Sequence, residues 1–116
     1  MARPRIPENP MYHLLRESKV EEFNQRRQNG EQCDLCGCDF SRVDLREMHA
    51  DGLDLSDCYF RMTDLRGLDL RNARLEGASF AGAHISGTYF PTELRADELL
   101  MSIEHGTRVR YCHSEP

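Results

Sequence analysis

The sequence predicts an all-β solenoid core with short α-helical caps at both ends, and three observations carry that prediction. An apolar residue returns every five positions without slipping: Leu35, Phe40, Leu45, Ala50, Leu55, Phe60, Leu65, Leu70, Leu75, Phe80, Ile85 and Phe90. Two places earlier a second row keeps step, Cys33, Cys38, Val43, Met48, Leu53, Cys58, Thr63, Leu68, Ala73, Ala78, Ala83 and Thr88, almost all small or apolar. Finally, Gly37, Gly52, Gly67, Gly77, Gly82 and Gly87 all fall two places after a central residue, where a tight corner favours glycine.

A period of five excludes the two simplest alternatives. On an α-helix a five-residue step rotates by roughly 140°, so the apolar row would spiral around the rod. In a flat strand the side-chain period is two, and half the row would face water. A backbone that turns a corner once per repeat carries every central residue inward, which is a solenoid with a filled centre.

The segments Cys38-Asp39-Phe40-Ser41-Arg42, Val43-Asp44-Leu45-Arg46-Glu47, Leu53-Asp54-Leu55-Ser56-Asp57 and Leu68-Asp69-Leu70-Arg71-Asn72 resemble the pentapeptide-repeat family, whose unit is a small residue, Asp or Asn, Leu or Phe, then two variable polar residues. The resemblance covers about residues 33 to 92. It implies a right-handed quadrilateral β-helix of about three coils, four repeats per coil, with a vertical spacing of twenty residues. Four columns follow: Leu35, Leu55 and Leu75; Phe40, Phe60 and Phe80; Leu45, Leu65 and Ile85; Ala50, Leu70 and Phe90. With Ala50 standing in for a larger residue, either a neighbour such as Met48 fills that corner or the coil is locally distorted.

Around this core the chain divides into an N-terminal helical cap (1–32), the repeats (33–92) and a C-terminal helix with a short strand (93–116). Upstream, Met11, Leu14 and Leu15 share a helical face, and Ser18 with Glu21 three places on forms a capping-box signal before Val20 and Phe23. The spacing predicts helices over about 9–17 and 19–28. Downstream, Leu99, Leu100 and Ile103 line one face of a helix of about 96–105 stopped by Gly106, and Thr107, Val109 and Tyr111 alternate with Arg108 and Arg110 as in a strand. That strand, 107–111, pairs either with the last coil or with another subunit. Family members often dimerise end to end, so the resemblance leaves a homodimer through a terminal coil or this strand open.

Composition narrows the function. No run approaches the ~18 apolar residues of a membrane span, and residues 1–10 lack the apolar stretch of a secretion signal. Five cysteines, an odd number mostly at inward positions, suit a reducing compartment, so the expected location is cytoplasmic, away from membranes. The net charge of −5 divides as about +1, −4 and −2 over the three segments, which disfavours direct nucleic-acid binding, normally marked by a basic stripe.

Candidate chemistry is sparse. Cys33, Cys36 and Cys38 include a CxxC spacing, but zinc sites of this kind use a second pair. Cys38 and Cys58 lie one coil apart, and the leading reading of all four is small buried residues over a metal or redox role. His49 is expected one coil from Asp69, read as a surface pair because a narrow filled prism leaves no pocket; His84, His105 and His113 have no partners by spacing, and His13 lies on the N-terminal helix. No catalytic residue, cofactor or metal is expected. Asp34 with Asp54 and Asp44 with Asp64 form acidic rows, and some members of the family imitate duplex DNA towards type II topoisomerases such as gyrase. Here Arg46, Arg61, Arg66, Arg71 and Arg74 interrupt the rows, and three coils span only about 14 Å at ~4.8 Å each. The preferred expectation is a non-enzymatic module presenting charged walls to a protein partner through Tyr59, Arg61, Met62 and Arg42, with Asp44 and Asp64 in the Asp/Arg rows that set orientation.

Overall fold

The computed structural model describes residues 3–112. Three helices flank the repeats: α1 (Pro10–Arg16), α2 (Val20–Gln28) and α3 (Ala96–His105). Asn9 caps α1 by accepting the Met11 N–H at 2.8 Å, with Pro10 in the first turn, where its missing N–H costs nothing. Met11, Tyr12, Leu14 and Leu15 are buried, as are Val20 and Phe23 of α2.

The capping box at Ser18 does not form. Lys19 stands at the cap of α2 without a side-chain bond, Ser18 adopts a φ of 59°, and its hydroxyl accepts the Asp44 N–H instead. A tight link between two helices leaves Ser18 outside the extended backbone that a capping side chain needs. In α3 the expected apolar face also needs correction. Leu99 and Ser102 are buried, but Leu100 is 55% exposed, because consecutive helical residues point about 100° apart.

Between the helices the chain stacks on itself at intervals of twenty residues. Parallel bridges join Asp39 to Tyr59, Asp44 to Asp64, Asp54 to Arg74, Tyr59 to Ser79, Asp64 to His84 and Asp69 to Tyr89. The amides alternate in direction: Phe60 N–H donates to Ser79 O, and Ser79 N–H to Cys58 O. Among the described residues these are isolated bridges without continuous strands, which corrects the expectation of extended β-structure. A turn every five residues leaves too little straight backbone on each wall for a ladder.

Corners are left-handed almost throughout. Besides the glycines, Arg42, Glu47, Asp57 and Met62 have φ of 60°, 72°, 60° and 55°. At Gly77 a Cβ would meet the Asp57 carboxylate, which would have to turn aside to admit it. The weak repeat at Ala50 is accommodated by distortion. Other corners bond nineteen residues ahead, as Asp57 N–H to Glu76 O and Gly67 N–H to Ser86 O, but Gly52 N–H reaches Asn72 O, twenty ahead. No bridge is formed at the His49/Asp69 level among the described residues. Met48 is buried beside this corner, and Asn24 clamps α2 over it by donating to Glu47 O and accepting from His49 N–H.

Leu35, Phe40, Leu45, Leu55, Phe60, Leu65, Leu70, Leu75 and Phe80 are all buried to 1% exposure or less. Ile85 and Phe90 are only partly buried at the open side of the last coil. The Phe40, Phe60 and Phe80 rings stack at 5.7 and 5.2 Å, with Tyr12 of α1 above at 5.4 Å and Phe90 edge-on below at 5.9 Å. Each such ring adds about 1.5–3 kcal/mol by burial. The second row contributes polar cement: Cys58 Sγ, Thr63 Oγ1 and Thr88 Oγ1 donate to the carbonyls of Leu35, Phe40 and Leu65, each twenty-three residues back.

The upper end of the stack is covered from within the chain, and the lower end in part. Above, Tyr12 and Arg16 bond Asp39 O and Ser41 O, and Arg27 bonds His49 O and Asp51 O. Below, Val109 exchanges bonds with Gly77 N–H and Ala78 O, Ser102 Oγ accepts Phe80 N–H, and Ile103 O accepts Gly82 N–H. The predicted strand 107–111 thus lies on its own last coil, reduced to one antiparallel bridge, Arg108 to Ser79.

Candidate partner-binding wall

One wall is longer than the others. Arg5 bridges Cys38 in parallel, and its carbonyl accepts the Asp39 N–H; Asp39, Tyr59 and Ser79 then bridge in succession, and Arg108 closes the series below. Five levels of chain therefore stack here, two of them from segments outside the repeats. Neither addition has a five-residue signal, so the sequence does not announce them, although the alternation around Arg108 marks an extended segment.

The lower of these additions changes the status of Tyr59. The Arg108 guanidinium stands 5.0 Å from the Tyr59 ring centroid and donates to its hydroxyl, to Gly77 O and to Asp57. Tyr59 is half-buried, not the open aromatic that the sequence suggests. With Arg3, Arg5, Cys36, Gly37 and Asp57 it lines one shallow cleft. At the opposite corner of the wall Arg42 N–H bonds Arg61 O, placing Arg42 one coil above Arg61 and Met62. Met62 is 45% exposed and lies against Gly82.

Asp44 and Asp64 occupy a different wall and are spent within it. Each repeat aspartate accepts the backbone N–H two residues on, as in Asp44 to Arg46, Asp64 to Arg66 and Asp69 to Arg71, a local turn-forming bond. The same arginines then grip the carboxylates through Nε and Nη2, and Arg46 also approaches Asp64 at 3.4 Å. Hydrogen bonds from Arg66 and Arg71 hold Asp64 and Asp69 down at about 2. Asp69 is thus engaged by Arg71, not by His49, whose backbone joins Asn24 and Arg27. His84 lies on the Asp64 wall and His13 is exposed; His113 lies outside the described residues.

Cys33, Cys36, Cys38 and Cys58 are held as thiols. Burial pushes Cys36 and Cys38 up to about 11, and raises Cys58 and Cys33. Cys58 acts as a buried donor like Thr63, and Cys36 faces Asp54 O at 3.7 Å. No group of three metal-ligating side chains occurs among the described residues, and no helix among them is long and apolar enough to cross a membrane.

A chain that stacks every twenty residues, with an aspartate closing turn after turn, is built from five-residue units. It belongs to the pentapeptide-repeat family: the family model for pentapeptide repeats matches residues 31–61 and 54–90 with eight copies. Comparison with curated proteins and with solved structures returned no match.

Proposed function

We propose that the repeats form a right-handed quadrilateral β-helix of three coils, and that the protein is a non-enzymatic interaction module whose five-level wall receives a protein partner. The observation that carries this reading is that segments from both flanks of the repeats extend the same wall. Arg42 and Met62 add support, since they occupy left-handed corners where glycine would be at ease, yet Met62 exposes its side chain and the Arg42 guanidinium makes no hydrogen bond or ion pair among the described residues. Backbone strain of this kind concentrates at functional surfaces. Imitation of duplex DNA towards a topoisomerase is the weaker reading. Asp44 and Asp64 are gripped by their own arginines and Asp34 pairs with Arg5, which leaves little of the regular negative charge that duplex DNA presents every ~1.7 Å.

The test is photo-crosslinking in the native cell, with the crosslinking residue placed at Met62 or, on another wall, at Arg66. A discrete protein adduct from position 62 and none from 66 is expected. Adducts from 66 alone would place the interface elsewhere.

A further inference from the structure

Resting on the reading of this wall as the interface, we propose that its partner segment is an extended peptide rich in carboxylates. Among the described residues, Arg3, Arg42 and Arg61 are the arginines whose side chains make no hydrogen bond or ion pair. All three flank this wall: Arg3 lines the cleft of Tyr59 at one corner, and Arg42 and Arg61 stand at the other. Arginines of other walls, Arg46, Arg66 and Arg71, are each closed onto an aspartate within 2.9 Å.

Counting the wall and its margins, Arg3, Arg5, Arg42, Arg61 and Arg108 face Asp34, Asp39 and Asp57. A chain of net charge −5 thus concentrates positive charge on one face. Free guanidiniums offer the planar fork that carboxylates match with two bonds, and they have no internal partner to surrender on binding. Met62, exposed beside Arg61, and the half-buried Tyr59 supply apolar contact, so a segment alternating acidic and apolar residues suits the surface, every second side chain meeting the wall.

The experiment is fluorescence anisotropy on the full chain with a labelled peptide of alternating glutamate and valine, its glutamine counterpart, and a single-stranded oligonucleotide. R3Q/R42Q/R61Q is compared with R46Q/R66Q/R71Q, which removes the same number of charges from self-paired sites. Circular dichroism checks that both variants fold. We expect the glutamate peptide to bind in a salt-dependent way, the wall variant to lose about tenfold or more, and the second variant to lose less than about threefold. Equal losses in the two variants, equal binding of the glutamine peptide, absence of peptide binding, or oligonucleotide binding in its place would each overturn the proposal. Crosslinks from position 62 together with failure of the glutamate peptide would leave the wall as the interface and reject only its acidic ligand.

Discussion

The Arg108 guanidinium stands over the Tyr59 ring, 5.0 Å from its centroid, and ties the last extended segment to the middle coil. Tyr59→Ala therefore disturbs more than a surface contact. A double-mutant cycle between Tyr59→Ala and Arg108→Ala, read by urea denaturation, should give a coupling of about 0.5–1 kcal/mol. Strict additivity would mean that this segment is not held by the pair. For probing partner binding without loss of stability, Arg61→Ala with Met62→Ala is the cleaner choice, with a stability change within about 0.5 kcal/mol.

Phe60 lies between Phe40 and Phe80 with 1% exposure. Phe60→Ala should cost about 3–5 kcal/mol, enough to unfold a domain of ordinary stability. Phe60→Leu, measured by thermal unfolding, should retain the fold at a smaller loss. A Phe60→Ala variant with the parent's midpoint would refute the filled axis.

The bonds of Cys58 and Thr63 to carbonyls twenty-three residues back give them the same task. Thr63→Val strands the Phe40 carbonyl and should cost about 1–3 kcal/mol, whereas Thr63→Ser retains the donor and should cost about 1 kcal/mol. A Thr63→Val variant as stable as the parent, in chemical denaturation, would show that the buried bond contributes nothing.

Asp64 and Asp69 are held at about 2 in the folded chain, chiefly by hydrogen bonds from Arg66 and Arg71, against about 3.9 when unfolded. A depressed folded pKa stabilises above the unfolded value and is lost as pH falls through the folded one. Stability should therefore decline between about pH 4 and pH 2. Asp64 is the less exposed of the two, so Asp64→Asn should flatten the decline more than Asp69→Asn in urea midpoints taken across that window. An unchanged slope in Asp64→Asn would contradict the assignment.

The five-residue register made the core legible, because a side chain that must meet a common axis at every corner leaves a period visible in the residues themselves. Leu45 and Leu65 are fully buried as that period requires, and α3 ends at Gly106 as predicted. The long wall was not legible. Arg5 reaches Cys38 across more than thirty residues, and nothing in its neighbourhood repeats. Tyr59 reads as exposed until Arg108 is seen to cover it, and Ser18 reads as a helix cap until the link between α1 and α2 turns it towards Asp44. The twenty-residue offset at Gly52 was hidden for a related reason: Ala50 signals a weak corner without saying how the backbone absorbs it.

The central claim is that successive coils lie twenty residues apart. It is tested most directly by NMR scalar couplings across hydrogen bonds, which connect an amide nitrogen to the carbonyl carbon that accepts from it. Couplings from Leu55 to Arg74, Phe60 to Ser79 and Leu70 to Tyr89 are predicted. Couplings at the four-residue spacing of a helix, or to carbonyls at any other offset in these three amides, would contradict the account.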